Sequence, residues 1–378
     1  QNETTLHQAE MNRLPNLNGQ ITHNYNWGRS FDVFTNQAII DRVQNNTFAV
    51  FSSVTLFDGF RLKNNILQNQ LNLEASKFAV EQQKNELALL IANAYLQILF
   101  GKELLEASKI SYQSIEERIA LLDKQIKGGT QPLASLYELQ SQKAMTEMQV
   151  ITRENQLATA YLRLKQLLQL PENTTFEIEY PILPEPSENI LLPTTEEIYR
   201  QAELLQPSIR RADKTVESAT VGIQLAKAGS MPTLTLSAGL SSLYATSQNK
   251  RIAGRRQRTD LPPITQTIGY IEENGQRKPV FRDFYLEEFI VENVKFVQQL
   301  EEGFNKRIGL TLSIPIFNRF QVKNSLQNAQ LLVERTRLNA QSARLTLRQN
   351  IEQAYIDVIA ASKSYFVTKK QVEILEEQ

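Results

Sequence analysis

The chain has 378 residues, with 41 Lys plus Arg balanced by 41 Asp plus Glu, no cysteine and two histidines. Zero net charge leaves no drive toward nucleic acid, and the missing cysteines remove disulfide frameworks, thiolate zinc sites and cysteine nucleophiles together. His7 and His23 lie too far apart for a helical metal pair and read as surface histidines. No glycine loop for phosphate, metal cluster or nucleophile motif occurs, so neither a cofactor nor enzyme activity is expected. No uninterrupted apolar run reaches the roughly 18–20 residues of a membrane-spanning helix, so any segment that crosses a membrane must do so as a strand.

Taken in chain order, the first signal is period-two alternation. Ile21, His23, Tyr25 and Trp27 share one parity against Thr22, Asn24, Asn26 and Gly28. Phe48, Val50, Val54 and Leu56 then alternate with Ala49, Phe51, Ser53 and Thr55, with Ser52 the single polar exception on the apolar parity. These two runs predict a strand pair over 17–57. Tyr25, Trp27 and Phe31 read either as part of an interfacial aromatic girdle or as ordinary packing near a loop.

From Asp58 the period becomes helical, and no proline interrupts it before Thr130. At 1.5 Å per residue such a helix is on the order of 100 Å long, too long for a globular core, so it must lie against other long helices. Ile115, Ile119, Leu122 and Ile126 supply a seam near its far end. Gly128, Gly129, Thr130, Gln131 and Pro132 then break it. Leu133 to Leu170 reads as the returning helix, with Leu157, Tyr161, Leu164 and Leu168 as its seam.

Residues 171–193 form a linker with one short alternating stretch, Phe176–Tyr180, expected as a small strand. Thr194 with Glu197 fits a capping box and opens helices over 194–230. A second strand pair follows over 231–317: Leu234 and Leu236 mark one strand, and Ile308, Leu310, Leu312, Ile314 and Ile316 the other. Between them, 241–307 is expected to be a long loop. Its basic Lys250, Arg251, Arg255, Arg256 and Arg258 and acidic Glu287, Glu288, Glu301 and Glu302 read as a solvated surface, with lipopolysaccharide or substrate contact as the alternative. Residues 318–378 form a second long helix.

These parts repeat. Phe57-Asp58-Gly59-Phe60-Arg61-Leu62-Lys63-Asn64 matches Phe317-Asn318-Arg319-Phe320-Gln321-Val322-Lys323-Asn324 at a separation of 260 positions. The same separation pairs Gln70 with Gln330, Leu87 with Leu347, and Ala94-Tyr95 with Ala354-Tyr355 without a gap. Each strand pair therefore runs into a long helix through the same joint, marked by Phe57, Asp58 and Gly59 in one copy and Pro315, Phe317 and Asn318 in the other.

Strands of about ten residues with an apolar outer face are long enough to cross a bilayer when tilted, although a soluble two-sheet protein shows the same alternation. The joint to an extended helix favours a barrel continued by a helical tube. Four strands cannot close a barrel, and lipid does not tolerate open edges, so several copies must share one. Two copies would give about eight strands and a filled interior; three would give about twelve and room for a conduit. The fold class expected is an α+β membrane protein: long antiparallel helical hairpins forming an α-barrel in a trimer, and four strands per subunit in a shared β-barrel.

The strand ends Val54–Gly59 and Ser313–Asn318, the leucine-rich helix end Leu164–Pro171, Gln206-Pro207, and Met231–Leu234 together resemble the TolC-type outer-membrane efflux and secretion proteins. The resemblance implies a homotrimer with a β-barrel in the outer membrane, surrounded by its lipid, and an α-barrel crossing the periplasm. Such a subunit is a passive exit duct of a tripartite efflux or type I secretion system, fed by an inner-membrane pump through a periplasmic adaptor. It further implies that Lys127, Gly128, Gly129, Thr130, Gln131, Pro132 and Leu133 form the periplasmic tip that meets the adaptor, the family's aspartate there being replaced by Ser135. Against the family pattern, residues 1–16, including Leu6–Arg13, resemble the tail of a longer first helix. The last helix and gate are expected beyond Gln378. A periplasmic adaptor and a soluble coiled-coil scaffold also use long hairpins, but neither explains a joint that occurs twice beside four strands.

Overall fold

A computed structural model describes the chain apart from residues 32–37, 172, 175, 182–185, 187–191, 247–248 and 377–378. In chain order its first elements are α1 (Asn2–Met11), β1 (Asn18–Phe31), β2 (Ala38–Phe57), α2 (Arg61–Lys127), α3 (Leu133–Leu167), α4 (Thr195–Leu205) and α5 (Pro207–Ala228). There follow β3 (Thr233–Ala245), β4 (Lys250–Gln257), β5 (Ile264–Glu273), β6 (Gln276–Phe284), β7 (Glu287–Asn293), α6 (Phe296–Glu302), β8 (Asn305–Ser313) and α7 (Gln321–Glu376). Two compact units result, one of residues 1–69 and 220–330, the other of 70–219 and 331–378.

The first unit is built on an antiparallel sheet of order β1-β2-β3-β8. Its lower margin is set by prolines, which cannot donate to a ladder. Pro232 precedes β3 and Pro315 follows β8, and Thr233 opposite Ser313 is the last pair between them. The alternation over 308–316 therefore overstates the strand: Ile314 and Ile316 lie past its end, and Ile316 is 96% exposed. A second difference is a bulge in β2, where the register passes from Thr55 opposite Thr235 to Phe57 opposite Leu234. Leu56 is the unpaired residue, and Phe57 takes the apolar position that strict alternation gives to Leu56.

The expected loop over 241–307 is instead mostly ordered. Strand β3 continues to Ala245, β4 pairs with β7, β5 pairs with β6, and α6 returns the chain to β8. The charged clusters pair locally: Arg251 bonds Glu292, Arg255 bonds Glu287 and Arg256 bonds Glu288 across the β4–β7 ribbon, Arg251 also reaches Glu302 of α6, and Arg258 binds Asp260 at 2.7 Å. Solvent screens pairs this exposed, so the charges specify register more than stability. The side chain of Lys250 lies outside the described residues.

The second unit is helical. Its best-packed part joins α2 to α3 through Ala94, Ile98 and Leu164, covered by Ile178 from the linker and flanked by Tyr95, Leu157, Tyr161 and Phe176. The seam residues Leu157, Tyr161 and Leu164 face this core, whereas Leu168 falls just past α3 and is exposed. Phe176–Tyr180 forms no strand. Two of its side chains, Phe176 and Ile178, pack on the helices, and Tyr95 donates its hydroxyl to the Glu179 carbonyl at 2.7 Å, so side-chain burial replaces a ladder.

The Thr194 capping box forms as expected. The Glu197 amide donates to the Thr194 hydroxyl at 3.3 Å, and the Glu197 carboxylate accepts from the Thr194 amide at 2.9 Å. These bonds hold Glu197 below the usual carboxylate range. Arg344 of α7 bonds Asp213 at 2.8 Å and Glu203 at 2.8 Å, tying α7 to α5 and α4 and raising the guanidinium pKa, chiefly through Asp213. Lys214 is likewise raised by Glu217 and then Glu74.

Candidate functional site

The register separates the side chains of the sheet into two unlike faces. One row across it is Val54, Leu236 and Leu310; the next is Ser52, Ala238 and Ile308; below lie Phe57, Leu234 and Leu312. Val50 opposite Leu240 and Phe48 opposite Ser242 continue this face upward. Phe48, Val50, Val54, Leu234, Leu236, Ile308, Leu310 and Leu312 thus share one face. Ile308 is 78% and Leu310 63% exposed, so within one chain that face lacks the cover a soluble sandwich would give it.

The opposite face carries Gln20, Thr22, Thr47, Ser53, Thr235, Ser237, Ser241, Thr311 and Asn305, with Phe51 its largest apolar member. Arg307, opposite Gly239, is the one charged side chain on this face within the four-stranded region. Apolar outside and hydroxyl or amide inside is the pattern of a barrel with lipid on one side and water on the other. The row from Leu240–Lys306 to Leu234–Leu312 spans about 20–25 Å at 3.3–3.4 Å per residue, the height of a hydrocarbon core.

Aromatic groups bracket this band. Above it, Tyr25 lies 5.8 Å from Trp27 and beneath the Arg42 guanidinium, while Phe296 of α6 packs on Tyr244 at 4.9 Å and on Phe48 at 6.4 Å. Sequence reading named Tyr25 and Trp27 but missed Tyr244 and Phe296, whose helix it did not expect. The side chain of Phe31 lies outside the described residues. Below the band, Phe57 meets Phe60 edge-on at 5.6 Å, and Phe317 meets Phe320 in the same way at 5.6 Å.

The two joints are conformational copies. Gly59 and Phe60 both have positive φ, 66° each, and so do Arg319 and Phe320 at 52° and 60°. Two successive left-handed residues turn the chain from strand to helix, and α2 and α7 start at the next positions, Arg61 and Gln321. Asp58, 4% exposed, accepts from the Leu62 amide at 3.0 Å and so satisfies a free donor of the first turn of α2.

The hairpin turn closes with the helix C-terminal motif that glycine allows. Thr130 N–H reaches the Gln125 carbonyl at 3.0 Å, Gly129 N–H reaches Ile126 at 2.9 Å, and Gly129 has φ 75°. Lys127 through Leu133 are all exposed. Replacing Gly129 by alanine is expected to cost about 1 kcal/mol locally, read as faster proteolytic nicking between Lys127 and Leu133 with the rest of the fold intact.

A sheet with one apolar and one polar face thus runs into long helices through a joint that occurs twice. Residues 3–169 match the family described as outer membrane efflux protein. Among named relatives, the protein described as "Probable outer membrane lipoprotein SilC" of Salmonella typhimurium is 23% identical over 96% of this chain and 74% of its own length. The cation efflux system protein CusC of Escherichia coli is 21% identical over 80% of this chain, which spans 64% of that relative. Of solved structures, the outer membrane protein VceC of Vibrio cholerae superposes with a TM-score of 0.67 at 14% identity over 96% of this chain and 73% of its own. CusC superposes with a TM-score of 0.59 at 17% identity over 97% of this chain and 73% of its own. Residues 3–169 thus match the outer membrane efflux protein family, and the chain shares the fold of VceC and CusC, the TolC-like fold expected from its joints and strands.

Proposed function

We propose that three copies of this chain close one β-barrel of about twelve strands, with the apolar face in lipid and the polar face lining a passive exit duct. The observation that carries this is the open sheet: among the described residues β1 and β8 are edges with no further strand beside them, and the apolar face lacks cover. In the antiparallel order, β8 of one copy is the natural partner of β1 of the next, which leaves no exposed edge.

The helices support the same assembly. Leu89, Leu90, Leu96 and Phe100 of α2 are exposed, and α2 contains a stretch apolar enough to pass for a membrane span on composition alone. Covered by helices of neighbouring copies, it becomes part of an α-barrel wall. The exposed turn Lys127–Leu133 is the surface offered to a periplasmic adaptor, through which an inner-membrane pump delivers cargo.

The test uses the absence of cysteine. Thr311→Cys and Leu310→Cys, adjacent in β8 on opposite faces, are labelled in assembled protein with a membrane-impermeant charged thiol reagent, and the mass of the native particle is measured. Three chains per particle with labelling at position 311 and protection at 310 is the expected result. Equal labelling, or a particle of one chain, overturns the proposal.

A further inference from the structure

The segment between β3 and β8 is anchored at its base and uncovered above it. At the base, the Ala245 amide donates to Gln299 Oε1 at 3.1 Å, Gln299 Nε2 donates to Asn249 Oδ1 at 2.7 Å, and the Ser242 hydroxyl donates to the Leu300 carbonyl at 2.7 Å. Gln299 and Val294 are buried there. This footing fixes where the segment leaves the sheet. Beyond it, β4 with β7 and β5 with β6 form two-stranded ribbons that pack extensively on no other described element of the chain.

Such ribbons are marginal by themselves in water, because each buries little more than its own cross-strand contacts. These also carry apolar side chains on both faces. In the β5–β6 register Ile264 lies opposite Phe284 and Ile271 opposite Lys278 on one side, while Thr267 lies opposite Phe281 and Tyr270 opposite Pro279 on the other. Tyr270, Ile271 and Phe281 are all more than half exposed. Among the described residues, Arg251, Arg255 and Arg256 of the β4–β7 ribbon are already paired with Glu292 and Glu302, Glu287 and Glu288, so its unsatisfied component is apolar.

We infer that the ribbons of residues 250–293 pack across the subunit boundary onto the next copy of this chain, forming an inter-subunit crown at the outer mouth. Strand order supplies the occupant. The segment rises beside β8, the edge strand, so in a closed barrel its neighbour is β1 of the adjoining copy. That neighbour also stands above the sheet: β1 pairs with β2 up to Phe31 opposite Ala38, whereas β2 meets β3 only from Asn45. The upper β1–β2 hairpin, bearing exposed Trp27, therefore rises past the shared sheet as a ribbon with no third strand paired to it.

This inference rests on the shared barrel proposed above, and the test separates the two. Phe281→Cys and Tyr270→Cys, both at exposed positions that folding of one chain does not require, are modified with a benzophenone maleimide in the intact assembled protein and irradiated. Thr130→Cys at the helical turn serves as control. Most Phe281→Cys and Tyr270→Cys chains are expected to shift to the mass of two chains while the control stays at one. A particle of three chains giving no chain-to-chain product at either position, or only lipid adducts, overturns the crown and leaves the barrel standing. A particle of one chain overturns both.

Discussion

Leu310→Arg is expected to lower the yield of assembled channel by the equivalent of about 2–4 kcal/mol, the cost of an arginine on the lipid face near the bilayer midplane. Leu310 occupies the central row of the apolar band, between Leu236 and the rows of Ile308 and Leu312. Its side chain has no polar partner to meet, and the nearest water lies about 10 Å away along the strand, too far for full snorkelling. Thr311→Arg, one residue on, points to the polar face beside Ser237 and Thr235 and is expected to assemble within about 0.5 kcal/mol of the parent. Ile314→Arg lies past the strand end, near the interface, where the penalty falls to about 0–1 kcal/mol. Urea titration of folding into lipid vesicles reads all three. Equal loss for 310 and 311 would remove the two-faced sheet from the account.

How much of this was legible in the sequence differs by element, for physical reasons. The faces of the sheet follow from parity, which is a local property. A residue such as Leu310 keeps its face whichever strand it meets, and the 260-position repeat gave the same answer twice. Parity fails where the chain gains a residue or loses a donor, as at the Leu56 bulge and before Pro315, since neither changes the apolar count. The ribbon at 264–284 was missed although Asn274-Gly275, a strong hairpin dipeptide, lay in view. Both residues have positive φ in the turn, 52° and 75°. Its flanks mix apolar and charged residues on both faces, so period two is blurred where a ribbon has no single buried side. Cross-strand pairs such as Arg256 with Glu288 depend on register over 32 positions, which composition does not reveal.

Gly59→Ala is expected to destabilise the assembled protein by about 2–4 kcal/mol, the sum of left-handed strain and overpacking. A Cβ built at Gly59 would sit 2.4 Å from Met231 Cβ and 3.3 Å from the Ala228 carbonyl oxygen, with φ at +66°. Met231 cannot yield by rotating, because the clashing atom is its own Cβ and the chain there is held between the end of α5 and Pro232. The second joint has the same backbone turn with Arg319 in place of glycine, at φ 52°. Positive φ alone is therefore tolerated in this fold, and what demands glycine at 59 is the close approach of the chain at 231. Arg319→Gly accordingly exchanges about 1–2 kcal/mol of strain for a similar loss of chain entropy and is expected to change stability by less than about 1 kcal/mol. Adding Met231→Gly to Gly59→Ala should recover the steric part and leave the strain, a coupling of about 1–3 kcal/mol in a double-mutant cycle read by thermal dissociation of the assembled channel. Additive effects at 59 and 231 would show that the joint does not depend on that contact and that glycine serves the turn alone.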